Sequence, residues 1–202
     1  MGRHREFDVE KVLDAALCVF WRKGYEGASY ADLTAAAGVE RPALYSAFGN
    51  KEALFRQALE RYYVRFLDYI PAALALPTSR QVAAHILHHA IELNTRFPDH
   101  TGCLVINGVL AGSDEAEPVR QILIEARALA EAQLRERFEQ AQAEGDLPET
   151  AKPQALAAFL MAVLHGMAVQ AKAGFSRDTL EDVAEQALAS WPVGRSAVAG
   201  GV

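Results

Sequence analysis

Arg41, Tyr45 and Ser46 lie within one short stretch, RPALYSAF, with Ser29 and Thr34 ahead of it and Lys51 just behind. A guanidinium and a small hydroxyl suit base edges, whereas hydroxyls and an ammonium hold phosphates, so the set points to nucleic-acid binding. Such groups act together only if two short helices meet at a tight turn. Ser29 is a good N-cap, and Asp32, three positions on, suits the positive end of a helix. Leu33 with Ala35, Ala36 and Ala37 offers small apolar surface for close packing. Gly38 breaks the helix where a left-handed residue is needed. Pro42 fits the first turn of the next helix, where its missing N–H costs nothing. Leu44 and Phe48 form that helix's buried face, leaving Arg41, Ala43, Tyr45 and Ser46 to project outward or sideways. These are the parts of a helix-turn-helix, whose second helix enters the DNA major groove. Arg41 and Ser46 are expected on base edges. Ser29, Tyr45 and Lys51 are expected on phosphates, with Thr34, Pro42 and Ala43 beside them. Arg3, His4 and Arg5 form a short basic arm, with a disordered terminus and an arm that reaches along the DNA as the two readings.

Other reactive side chains are sparse. Cys103 follows Gly102 in TGCL, at the expected start of a helix over 103–111, where helix-end N–H groups favour a thiolate. His100 stands three residues earlier. The two readings are an electrophile or redox sensor and an inert small hydrophobe. His85, His88 and His89 lie in HILHHA, and the i, i+4 pair His85/His89 has a spacing that holds metal. Only Glu92 stands near them, and core-edge histidines are the simpler reading, so no metal and no cofactor is assigned. Gly-x-Ser-x-Gly, a glycine-rich phosphate loop and His-Glu-x-x-His are absent from the sequence, so no catalytic residue is assigned. A small thiol-dependent enzyme built on Cys103 and His100 is the enzymatic alternative.

The chain has 202 residues, 51% of them hydrophobic, with many Ala and few β-branched residues, which favours an all-helical fold. Residues 1–63 hold 9 Lys/Arg and 9 Asp/Glu, and the rest hold 11 and 17, so the net −6 lies wholly in the later part. The N-terminal part is therefore the less acidic end, as a DNA-facing domain should be. Two cysteines suit a reducing cytosol. The start lacks a signal peptide, and the apolar run 155–164 is too short to span a bilayer, so a cytoplasmic protein with no membrane partner is expected.

Helical patterns run over about 8–23, with Val9, Val12, Leu13, Ala16 and Phe20 on one face and Cys18 and Trp21 off it. They continue over about 50–70, ending before Pro71. A hinge-like break is expected at 71–78. Further helices are expected over about 78–96, starting at a Thr78-x-x-Gln81 capping box, then 114–143, 152–173 and from Ser176 to Trp191. The helix over 152–173 is apolar nearly all round and must be covered on more than one side. A second subunit would cover it through Phe159, Val163 and Met167, with Leu180, Val183 and Leu188 of the last helix. A fully internal helix in a monomer is the alternative.

The stretch GYEGASYADLTAAAGVERPALYSAFGNKEALF (24–55) resembles the DNA-binding signature of the tetracycline-repressor (TetR) family of bacterial transcriptional regulators. The matches are Gly24-Tyr25, Ser29, Ala37-Gly38-Val39, Leu44-Tyr45, Phe48 and Lys51-Glu52 with Leu54. Glu40 departs from the small polar cap usual there, which puts one phosphate contact in doubt. Gly-Cys-Leu at 102–104 resembles a subset of such regulators that use a cysteine as a sensor. The resemblance implies an all-α protein of about nine helices: a DNA-binding domain over 1–51, an effector-binding and dimerisation domain over 52–191 and a disordered tail over 192–202. It implies a homodimeric repressor on a near-palindromic double-stranded operator, joined through a four-helix interface and released by a small-molecule effector. Position and chemistry nominate His89, Phe97, Cys103, Asn107, Phe138, Met161 and His165 for the effector pocket.

Overall fold

A computed structural model describes residues 8–109 and 113–194, so the Arg3–His4–Arg5 arm and the tail beyond 194 lie outside the described residues. Among the described residues the chain forms ten α-helices and no strand. They are α1 (Val9–Gly27), α2 (Tyr30–Ala37), α3 (Arg41–Phe48), α4 (Lys51–Phe66), α5 (Tyr69–Leu74), α6 (Ser79–Arg96), α7 (Leu104–Val109), α8 (Glu117–Ala143), α9 (Pro153–Lys172) and α10 (Arg177–Ala189). A short 3-10 turn, Asp114–Ala116, leads into α8.

Compactness sorts the chain into two units. One holds the residues up to Arg65 together with Leu104–Leu123, and the other holds Phe66–Cys103 with the residues from Ile124 on. This differs from a cut at residue 51, because α4 packs with the helices before it. Phe55 meets Phe20 edge-on at 5.1 Å, and Tyr62 meets Trp21 edge-on at 4.8 Å. Trp21 is thus fully buried despite lying off the expected stripe, while Val9, on that stripe, is exposed. The reason is that α1 is covered on two faces, packing on α2 and on α7. Gly24, at φ 72°, breaks α1 as expected, and one more turn follows it. Arg61 and Arg65 both pair with Asp14, and Arg61 also pairs with Glu10. The Arg61 hydrogen bond draws the Asp14 carboxyl below its ordinary range.

The second unit is built on α6, which packs against α5, α9 and α10. Leu87, Ile91, Phe138, Leu160 and Leu180 fill its core. Burying a side chain of this size contributes roughly 1.5–3 kcal/mol. The Thr78/Gln81 capping box forms as expected. The neighbouring Ser79 hydroxyl accepts the Trp191 indole N–H at 3.2 Å inside the core. The stretch 71–78 is neither loose nor wholly non-helical. Pro71 lies in the first turn of α5, where proline is tolerated, so it does not stop α4, which ends at Phe66. The guanidinium of Arg137 then donates to the carbonyls of Leu74, Leu76 and Pro77 at 3.2, 2.7 and 2.9 Å. The first residues of the expected tail are also placed. Gly194 donates to the Asp146 carbonyl at 2.7 Å, and any β-carbon there would strike the Gly145 carbonyl.

The apolar run 155–164 belongs to a 20-residue helix that is long and apolar enough by length and composition to cross a membrane. Its packing gives the better account. Ala157, Leu160, Met161, Met167, Ala168 and Ala171 enter the unit's core, while Ala155, Ala158, Phe159, Ala162, Gly166 and Val169 form an exposed stripe.

Candidate nucleic-acid interface

The turn between α2 and α3 is built by local chemistry. Ser29 Oγ accepts the Asp32 N–H at 3.1 Å, and the Asp32 carboxylate accepts the Ser29 N–H and hydroxyl at 3.1 and 2.7 Å. Lys23 Nζ lies 2.6 Å from Asp32 and, with Ser29, holds that carboxyl well below the usual range. Gly38 takes the left-handed conformation, φ 66°, and donates to the Thr34 carbonyl. Glu40 occupies the N-cap of α3 without capping it through its side chain. A carboxylate thus stands at this helix start instead of a small capping group.

Leu44 and Phe48 are buried, while Arg41, Pro42, Tyr45 and Ser46 are exposed and Ala43 is half-buried. Arg41 is held in place before any DNA arrives. Its Nη2 donates to the Tyr45 hydroxyl at 3.0 Å, and its guanidinium lies 4.2 Å from the centre of the Tyr30 ring. Tyr30 and Tyr45 pack ring to ring at 5.1 Å. Hydrogen bonds from Tyr30 and then from Arg41 pull the Tyr45 phenol below its ordinary pKa. Tyr30 also anchors the start of α4 by accepting the Lys51 N–H at 3.1 Å. The sequence reading missed Tyr30, because its role depends on two rings 15 positions apart stacking across the turn. Lys51 itself is half-buried over the Tyr25 ring, 4.5 Å from its centre, and desolvation lowers its pKa. It lines an open cleft of about 420 Å³ with Tyr25, Tyr30, Asn50, Ser113 and three glutamates, Glu26, Glu52 and Glu115.

Two of the expected phosphate-side hydroxyls have internal work. The Ser29 proton goes to Asp32, and Thr34 Oγ1 donates back to the Tyr30 carbonyl at 2.9 Å. Ser29→Ala should therefore cost about 1 kcal/mol of stability in denaturant unfolding, the usual loss of an N-cap. DNA affinity should change little once the protein is folded. A large affinity loss at unchanged stability would return Ser29 to a phosphate contact.

The residues nominated for an effector pocket are dispersed. Asn107 belongs to the N-terminal unit and donates to the Trp21 carbonyl at 3.4 Å. Phe138 is fully buried, edge-on to Trp191, so it fills core rather than lining a pocket, and Met161 is buried in the same cluster. Phe97 meets Phe66 edge-on and stacks on His100. His89 stacks on His85 at 3.9 Å and on Tyr69 at 5.4 Å. Exposed His88 instead stands 3.6 Å from Glu185. Cys103 is half-buried just ahead of α7, a helix of only six residues, and Gly102 before it packs so closely that a β-carbon would meet the Ala168 carbonyl at 2.9 Å.

His165 is the most perturbed of the set. Burial, and then the charge of Arg127, lower its pKa from 6.5 to about 4. Between those pH values the unfolded ring holds a proton that the folded ring refuses, so stability falls as pH drops from about 6.5 to 4 and levels off below. Partial exposure of the ring discounts the effect to about 1–2 kcal/mol. His165→Gln should flatten that segment of the stability–pH curve, measured by denaturant unfolding. An unchanged slope would remove His165 as its source.

For the interface expected between subunits, Phe159 is exposed and Val163 and Val183 are half-buried. Met167, Leu180 and Leu188 are spent on the protomer's own core and are not available to a partner. Helical spacing identified them as apolar but not which surface they cover.

The chain's similarities agree with this geometry. Residues 12–58 match the family of bacterial regulatory proteins, tetR family, and residues 80–187 match the tetracyclin repressor-like C-terminal domain. The HTH-type transcriptional repressor ComR of Escherichia coli (strain K12) is 35% identical over 193 residues, 95% of this chain and 92% of that protein. BdcR, another HTH-type transcriptional repressor of that strain, is 29% identical over 89% of this chain and 86% of its own. The TetR family transcriptional regulator CifR, solved as a cysteine mutant complexed with 26-bp double-strand operator DNA, is 41% identical. It superposes with a TM-score of 0.87 over 94% of this chain and 100% of that one. The chain belongs to the TetR family: it is a helix-turn-helix transcriptional regulator and not an enzyme.

Proposed function

We propose that this regulator is a cytoplasmic homodimeric repressor that grips a near-palindromic operator and leaves it when a small-molecule effector binds. Residues 1–51 read DNA, and residues 52–191 dimerise and sense. The observation that carries the reading is the exposed Arg41–Tyr45 edge of α3, steadied by Tyr30, on the helix that a helix-turn-helix inserts in the major groove. The operator-bound CifR relative and the repressors ComR and BdcR support it. The exposed apolar stripe of α9 supports the dimer, because two symmetric recognition helices need a two-fold axis. An effector acts only through its different affinities for the DNA-competent and released arrangements.

Selection from random duplexes tests this reading. The full-length protein should enrich one near-palindrome with half-sites a helical turn, or a multiple of one, apart. Retention of duplexes without sequence preference would overturn it.

A further inference from the structure

Arg127 of α8 stands apart from the helix's other arginines. Arg120 pairs with Glu117, Arg135 lies near Glu139, and Arg137 clamps three carbonyls. Arg127 gives an Nη2–H to His165 Nδ1 at 3.0 Å, and its Nε–H is buried with no acceptor. Among the described residues it has no carboxylate partner within 4.0 Å.

A guanidinium cannot shed its proton, so a buried N–H on it carries the full cost of lost hydration. His165 cannot relieve that charge. It accepts through the lone pair on Nδ1, which makes the ring neutral and leaves its own proton on Nε2, a further donor. Between them the two side chains present donors and positive charge, and among the described residues no carboxylate lies within 4.0 Å of Arg127 to balance it. A carboxylate has the complementary form, since its two oxygens match the planar fork of a guanidinium. Along the same helical faces the chain turns apolar: Leu134 and Phe138 follow Arg127 at i+7 and i+11, and Met161 precedes His165 by one turn, all three buried in the unit's core.

We propose that Arg127, with His165, anchors the carboxylate of a small amphipathic acid at the edge of that apolar core. This rests on the reading of the C-terminal unit as the effector-binding part and names the chemical class it takes.

The test is calorimetric titration of the full-length protein with benzoate and octanoate, against benzamide and octanamide. The acids should bind saturably at one site per protomer and the amides should not. Arg127→Met should lower acid affinity about ten- to a hundredfold, as expected for a charge-assisted hydrogen-bonded pair. Arg127→Lys, which keeps charge but not the fork, should fall between. The Arg127 Nε–H resonance of the parent should shift with acid and not with amide, which decides the matter even if the Met variant fails to fold. Equal response to acid and amide, no response to either, or undiminished binding in Arg127→Met would overturn the proposal. So would sedimentation of folded Arg127→Met as a monomer, which assigns the arginine to a carboxylate of the second protomer. A gel shift on the selected operator runs in parallel. Intact operator binding without a response to acids fails this proposal alone, whereas loss of operator binding by the parent fails the regulator reading.

Discussion

Ala162→Asp should split the regulator into monomers and remove tight operator binding while leaving each protomer folded. Ala162 lies in the middle of the exposed α9 stripe, flanked by Phe159, Gly166 and Val169. In a dimer joined there, a carboxylate is buried without a partner, at a cost of several kcal/mol. In the isolated protomer the same side chain meets water, so the thermal unfolding of the monomer should be little changed. Val183→Asp would be less clean, because Val183 also packs against the protomer's core. Losing the dimer removes the second reading head and with it the effective concentration of a linked site, so affinity should fall about 10²- to 10⁴-fold. Sedimentation at micromolar concentration is the check. A parent protein that is itself monomeric on DNA would refute the interface and the paired half-sites together.

Arg41→Ala should cost about 1–3 kcal/mol on the operator and relax preference at the bases it reads. Lys51→Ala should weaken all sequences alike and flatten the salt dependence by about one unit. Tyr30 adds a finer expectation. Its ring supports Arg41 and its hydroxyl holds the start of α4. Tyr30→Phe should keep the stacking and remove that anchor together with the hydroxyl's hydrogen bond to Tyr45. Tyr30→Ala should lose part of the Arg41 effect without touching a base itself. Binding to operator and scrambled duplexes at several salt concentrations separates these outcomes. If Arg41→Ala discriminated as well as the parent, the arginine would not be reading bases.

Features that depend on near neighbours were legible in the sequence. The caps at Ser29 and Thr78, the left-handed Gly38 and the Leu44/Phe48 face each rest on contacts within a turn or two of helix. Features that depend on distant partners were not. Periodicity showed Leu180 and Leu188 to be apolar but could not tell a protomer's core from a subunit interface. Trp21 lay off one stripe because a second stripe on α1 is also covered. Pro71 fits both the end of a helix and the first turn of another, and only packing chose the second. Tyr30 beside Arg41 and Arg127 beside His165 join residues that no local spacing links.

In the proposed dimer two α3 helices read two half-sites. The decisive measurement is the affinity for the selected operator set against that for the same duplex with one half-site scrambled. Two protomers should occupy the intact duplex, and binding to the scrambled one should be at least about a hundredfold weaker, since half of the specific contacts are gone. Equal affinity for the two duplexes would contradict it.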